Sequence, residues 1–305
     1  KRYEQYWDMN FRVDLDHTEH YFIEKLKDLI YSAISLRVKD LDTIGVLLSG
    51  GLDSSAVTCI ASSLKGSSLK AFSGGFHEGQ EYDETDYAEL VAHDVGAEHF
   101  KIFPTSEDFI NHIEEIIYYL DEPVAGPGSF PQYMIANAAR DRVDTVLGGE
   151  GGDEIFGGYM RYLVAYLEQC IKGAINESLD QEEYIVTLQT IIPNLSQLDG
   201  YQPMLRDFWK SGLFDPMEER YFKLIERFPD DNRLFTRDFA SSIDHKRIYA
   251  EYKSIFENSK TASYINKMSY FDIKASLSAL LHVDDRVNAA ASLEMRGPLL
   301  DHRII

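Results

Sequence analysis

Ile44-Gly45-Val46-Leu47-Leu48-Ser49-Gly50-Gly51-Leu52-Asp53-Ser54-Ser55 is an apolar run that breaks at a serine and two glycines and restarts as a helix with an acid in its first turn. Ile44 to Leu48 reads as a strand, and the apolar spacing of Ala56, Val57, Ile60 and Leu64 as a helix facing a core. The glycines let backbone N–H groups approach phosphate oxygens, and the N-terminus of the following helix adds partial positive charge. The segment therefore suits a polyphosphate. Asp53 would repel a phosphate it touched directly. It fits as a ligand of Mg²⁺ held between protein and pyrophosphate, because Mg²⁺ takes one or two carboxylates together with phosphate oxygens and water. Taken alone, Gly50-Gly51 also reads as an ordinary strand-to-helix turn.

A second cluster follows another apolar strand, Thr145-Val146-Leu147: Gly148-Gly149-Glu150-Gly151-Gly152-Asp153-Glu154-Ile155-Phe156-Gly157-Gly158-Tyr159. Glycine this dense serves positive φ or close approach of a ligand, and three acids within it repel one another unless a cation relieves them. In a parallel α/β sheet both clusters fall at the carboxyl ends of strands, where ligands bind. Asp53 and Asp153 can then share one Mg²⁺. The competing reading of Asp153 is a helix N-cap.

Between the clusters, strands at 69–73 and 98–103 alternate with helices at 83–95, at 105–120 with Phe109, Ile113, Ile116, Ile117 and Leu120 inward, and at 130–142. With a helix over 18–38 in front, the fold class is α/β: a parallel sheet with helices on both faces, followed by a mostly helical part. A division near residue 160 gives an ATP-pyrophosphatase-type domain over 1–160 and a helical part over 161–305. The loop Asp121 to Gly128 is too rich in proline and glycine for a simple turn and is a candidate site element. His77-Glu78 with Asp83-Glu84 reads either as an acidic loop over the site or as a solvated charge run.

The 305 residues carry a net charge of −21, which argues against a nucleic-acid partner, since that requires a basic face. Two cysteines far apart, Cys59 and Cys170, point to a reducing cytoplasm and to neither zinc nor a disulfide framework. No apolar run is long enough for a bilayer span, so no membrane partner is expected.

The first motif resembles the pyrophosphatase loop of the N-type ATP pyrophosphatases. The second is similar to the signature of the synthetase domain of glutamine-hydrolysing asparagine synthetases. A third stretch agrees with that family: Asp285-Arg286, then Ser292-Leu293-Glu294-Met295-Arg296-Gly297-Pro298-Leu299-Leu300-Asp301. The resemblance implies an adenine-nucleotide α-hydrolase-like fold and amide formation through an acyl-adenylate, with aspartate as the acid and ammonia as the nitrogen. It implies ATP phosphates held by Ser49, Gly50, Gly51, Asp53 and Ser54, and Mg²⁺ held by Asp53 and Asp153. Leu48, Ser73 and Gly74 would line the adenine and ribose pocket, Gly148 and Gly149 would pass close to the nucleotide, and Glu150 would lie at the reaction centre. It also implies a glutaminase domain or subunit and a later lysine, neither within residues 1–305, so the chain reads as a synthetase part cut short at its C-terminal end; a homodimer is compatible. Asp285, Arg286, Glu294, Arg296 and Asp301 are expected chiefly in buried Arg–carboxylate pairs. Macrolactam or β-lactam cyclases, polysaccharide-precursor amidotransferases and an inactive nucleotide-binding fragment stand as alternatives.

Overall fold

The computed structural model describes residues 2–305 apart from 3, 12, 13, 15, 78–82, 124, 125, 177–191, 211, 214, 227–234, 259 and 262. Most of the expected loop over 78–84 and the middle of the 121–128 loop thus lie outside the described residues. Five strands, β1 (Ile44–Leu47), β2 (Leu69–Gly74), β3 (Glu98–Ile102), β4 (Thr145–Leu147) and β5 (Glu294–Arg296), form one sheet in the order β3-β2-β1-β4-β5. Every pairing is parallel, with Gly45 opposite Val146 and Val46 opposite Leu147 where β1 meets β4. Connections run one way from β1 to β2 and β3 and the other way to β4. The crevice where such an order reverses is the usual ligand position in open α/β sheets. Here it lies between β1 and β4, the two strands that precede the glycine clusters.

Helices α1 (Glu19–Val38), α2 (Leu52–Lys65) and α3 (Thr85–Asp94) cover one face. Ile34, Val38, Val57, Ala61, Ala88 and Ala92 pack there on Ile44, Val46, Leu48, Leu69 and Ala71. On the other face Phe72 and Val146 pack with Ala136 and Ala139 of α5 (Ser129–Ala139) and with Ala291 and Leu293. The α/β expectation holds, with helices on both faces.

Thr105 caps α4 (Ser106–Leu120) in a reciprocal capping box with Asp108, as the sequence signals. The expected inward face of α4 is only partly realised. Ile116 and Leu120 are buried, whereas Phe109 and Ile117 are 43% and 62% exposed. The reason is the packing partner: α4 lies chiefly against α5 and α13 (Leu277–Ala290) and needs only a narrow apolar stripe, supplied by Ile116 and Leu120 against Tyr133, Val283 and Val287.

The chain divides into two compact units, residues 15–155 with 275–305, and residues 1–14 with 156–274. The expected division near 160 therefore captures the start of the second unit but not its end. Residues 275–305 return to the first unit because β5 pairs with β4 and α13 packs on α4 and α5. The second unit is helical among its described residues: α7 (Met160–Asn176), α8 (Gln202–Trp209), α9 (Met217–Ile225), α10 (Arg237–Ser242), α11 (His245–Phe256) and α12 (Tyr264–Phe271) follow the short α6 (Gly152–Phe156) that ends the first. Glu168 and Arg220 form a fully buried pair in it, with Arg220 Nη2 2.7 Å from Glu168 Oε2 and 2.8 Å from the Phe208 carbonyl. Asp272, also fully buried, accepts from Tyr162, Tyr221 and Arg161. Among the described residues no helix is long and apolar enough to cross a membrane.

Candidate active site

The loop after β1 is held by its own serines. Ser49 N–H donates to Ser54 Oγ at 3.2 Å, the two hydroxyls lie 3.0 Å apart, and Gly51 N–H donates to Ser49 Oγ at 3.2 Å. Gly50 has φ +89°, and a Cβ there would stand 2.8 Å from both the Ala88 nitrogen and Tyr87 Cβ, so glycine is required twice over. Gly51 is the N-cap of α2 and offers no side-chain acceptor, which leaves the first-turn N–H groups of a 14-residue helix available to an anion. Beside this loop, buried Leu48 presents its carbonyl to Ser73 Oγ at 2.5 Å, and Ser73 also contacts His99 Nε2 at 2.8 Å. Burial, then neighbouring Lys101, pushes His99 below its ordinary value. The space above Gly74 is taken by Ile135, whose Cδ1 would sit 2.9 Å from a Cβ.

The loop after β4 closes against the first. Gly148 N–H donates to the Arg296 carbonyl of β5 at 3.1 Å. A Cβ on Gly149 would lie 2.8 Å from the Ser54 nitrogen and 3.1 Å from the Asp53 carbonyl carbon, and one on Gly152 would overlap the Asp53 carboxylate. These glycines let two backbone turns and one side chain occupy the same small volume. Asp53 is pushed up to about 6 by burial, then by Asp153 and then by Glu154. The structure thus brings Asp53 and Asp153 within electrostatic reach at the switch point of the sheet. Among the described residues no group of three or more His, Cys, Asp or Glu is placed to hold a metal on its own. One or two carboxylates beside the glycine turn after β1 form the kind of partial oxygen donor set that Mg²⁺ would complete with phosphate oxygens and water.

Glu150 and the Met295 methyl occupy the space over Gly148. Glu150 Oε2 is shielded from solvent with no hydrogen-bond partner, and burial, then Glu154 and Asp53, raise the carboxyl above its ordinary range. The sequence did not single out Asp284. It is 3% exposed on α13 and raised by burial, then by Glu150 and, further down, by Asp285. A signal for it existed: Leu277, Asp284, Val287 and Asn288 share one helical face, and an acid on an otherwise apolar face is anomalous.

Of the expected Arg–carboxylate pairs, only Asp301 is buried, and its partners are Arg303 at 2.8 Å and Arg37 at 3.0 Å. Arg286 pairs with Asp121 at 3.3 Å and Arg296 with Glu294 at 2.9 Å, both with exposed acids. The expectation is corrected for these two: β5 is an edge strand, so its alternate side chains meet solvent, and Asp121 is the exposed C-cap of α4.

The chain matches the asparagine synthase family over residues 25–305. It belongs to that family. It is 28% identical over 301 residues to asparagine synthetase [glutamine-hydrolyzing] 1 of Bacillus subtilis, covering 98% of this chain and 45% of that protein. It is 24% identical over 317 residues to asparagine synthetase [glutamine-hydrolyzing] 3 of the same organism, covering 99% and 44%. It is 32% identical over 180 residues to an asparagine synthetase [glutamine-hydrolyzing] of Sandersonia aurantiaca, covering 50% and 34%. The chain spans about half the length of the two Bacillus relatives. The matched range contains all three motifs.

Proposed function

We propose that this asparagine synthase family chain activates a carboxylic acid with ATP and transfers the acyl group to nitrogen, releasing AMP and pyrophosphate. The observation that carries the reading is the interlock of the two glycine loops at the β1/β4 crevice, with an uncapped helix N-terminus on one side and Asp53 facing Asp153 on the other. A carboxylate does not expel oxide at neutral pH. When its oxygen attacks the α-phosphorus, the P–O bond to the β-phosphate breaks and pyrophosphate leaves. The nitrogen lone pair then forms the C–N bond, and the C–O bond breaks with AMP as leaving group. Ser49, Gly50, Gly51 and Ser54 hold the phosphates. Leu48, Ser73, Gly74, Gly148 and Gly149 border the nucleoside, and Glu150 faces the reacting carbonyl. Asp53 and Asp153 would hold Mg²⁺, which supplies neutralising charge to the departing pyrophosphate.

Aspartate is the acid and ammonia the nitrogen in the reading that family membership supports. The relatives' names as glutamine-hydrolysing enzymes support a glutaminase domain or subunit as the ammonia source. Cys59 and Cys170, neither of them in a disulfide, accord with a cytoplasmic setting. Acid-dependent exchange of labelled pyrophosphate into ATP tests the proposal. Exchange with one acid of a panel is expected, and that acid identifies the substrate. Absence of exchange for every acid overturns it.

A further inference from the structure

We propose that His99 of β3 is a positioning residue for the turn after β1, which it holds through the Ser73 hydroxyl; the inference rests on the ATP-binding reading of that turn above. It begins from a hydroxyl with two polar neighbours and one hydrogen. Ser73 Oγ stands 2.5 Å from the Leu48 carbonyl oxygen and 2.8 Å from His99 Nε2. A carbonyl oxygen can only accept, so the Ser73 hydrogen is directed at Leu48. Ser73 Oγ then accepts from His99, and the imidazole carries a proton on Nε2. The opposite tautomer would set two lone pairs against each other. The same direction removes a serine–histidine dyad as a reading, because the hydroxyl hydrogen points away from the ring and Nε2 has no lone pair free to take it.

The register explains how a ring on β3 reaches a serine on β2. Ser73 is opposite Lys101 and Ala71 is opposite His99, so these four side chains share one face of the sheet. Ala71 is buried and ends at a methyl, which leaves the half-buried His99 room to lean along the strand to Ser73. What the pair steadies is a single peptide plane. The Leu48 carbonyl and the Ser49 N–H belong to one rigid unit, and that N–H donates to Ser54 Oγ at 3.2 Å. The unit is therefore held at both ends, by β2 on one side and by the first turn of α2 on the other. The bonds run in one direction, from His99 to Ser73 to Leu48 and from Ser49 to Ser54, and in such a chain each bond polarises the next. Gly50, at φ +89°, follows directly, so the peptide that leads into the glycine turn cannot rotate while these bonds stand. Leu48 and Ser73 are 1% and 2% exposed, and bulk water does not replace a lost donor there.

His99→Phe, His99→Gln and Ser73→Ala, made in the full-length protein, test the relay, with ATP affinity read by calorimetry and stability by urea melts. Loss of one buried hydrogen bond predicts that His99→Phe binds ATP roughly threefold to tenfold more weakly. His99→Gln, whose amide N–H can donate to Ser73, should return to within about twofold of the parent. Ser73→Ala should weaken ATP at least as much as His99→Phe, and adding His99→Phe to it should cost no further affinity, since the ring acts only through the hydroxyl. Nitrogen-15 NMR of the parent, with the His99 signals assigned from their loss in His99→Gln, should show the proton on Nε2, a readout independent of ATP. A His99 ring protonated only at Nδ1, a His99→Phe protein that binds ATP as the parent does whatever its urea midpoint, or additive losses in the double variant overturns the relay. A parent that binds ATP but exchanges pyrophosphate with no acid removes the amide-forming reading and not the relay, whereas a parent that binds no ATP removes both.

Discussion

Gly152→Ala separates what the loops do for folding from what they do for chemistry. Gly152 opens α6, where alanine is favoured over glycine by about 1 kcal/mol on helix propensity. The added methyl would overlap Asp53 Oδ2 and Cγ, and even the farther oxygen, Oδ1, would stand 2.7 Å away. Relief of that overlap to ordinary contact, roughly 3.5 Å, displaces the carboxylate by about 1 Å. The obstructing atoms are the end of one side chain, which can rotate aside. Stability should therefore stay within about 1 kcal/mol of the parent. Misplacing a charge-bearing group by about 1 Å costs on the order of 100-fold in rate, so acid-dependent pyrophosphate exchange should fall by that factor while the urea midpoint holds. Gly149→Ala is the counterpart. Its Cβ meets backbone atoms of Ser54 and Asp53, which cannot rotate away, so a loss of about 1–3 kcal/mol should accompany the loss of exchange. Gly66→Ala is the control: φ is +61° but nothing lies within 4 Å, so about 1 kcal/mol of backbone strain should leave exchange untouched. A Gly152→Ala protein that exchanges at the parental rate refutes the argument that Asp53 must stand where this glycine admits it.

Glu168 is paired with both Arg220 and Lys172, so Glu168→Ala removes the carboxylate that both cations face and should cost about 3–5 kcal/mol in urea melts, while Glu168→Leu with Arg220→Met and Lys172→Met should recover most of it. Equal losses in the single and triple variants would contradict this. Arg303 first, then Arg37, hold the Asp301 carboxyl well below the usual carboxylate range. A depressed folded pKa gives stability that is complete above the unfolded value of about 3.9 and is lost as pH falls below it. Asp301→Asn should therefore lag the parent at pH 7, with the gap beginning to shrink only below about pH 4 and still largely present at about pH 3; a gap of constant size down to the lowest pH at which the protein stays folded would count against the ion pairs.

The two glycine clusters were legible because their chemistry is local: a turn that needs glycine and a helix start that attracts anions are written in consecutive residues. Thr105 and Asp108 were legible for the same reason. β5 was not. Glu294, Met295 and Arg296 are too few and too charged to register as a strand, and the partner that makes them one, β4, lies about 150 residues earlier in sequence. Ile117 was misassigned because periodicity reports an apolar stripe but not how much of it a neighbouring helix covers. Attention fell on Asp285 within the Asp-Arg motif, yet it is Asp284, one position earlier on the helix, that turns inward beside Glu150.

The lateness of β5 has a consequence for synthesis. Translation at about 5–20 residues per second puts roughly 7–30 seconds between the emergence of β4 and that of β5 from the ribosome. During that interval the serine-braced turn after β1 has all its neighbours, whereas Gly148 still lacks the Arg296 carbonyl that fixes its amide. The nascent polypeptide can shape the turn after β1 early, but the acidic turn after β4 is pinned only when β5 docks, so the two halves of the crevice mature at different times.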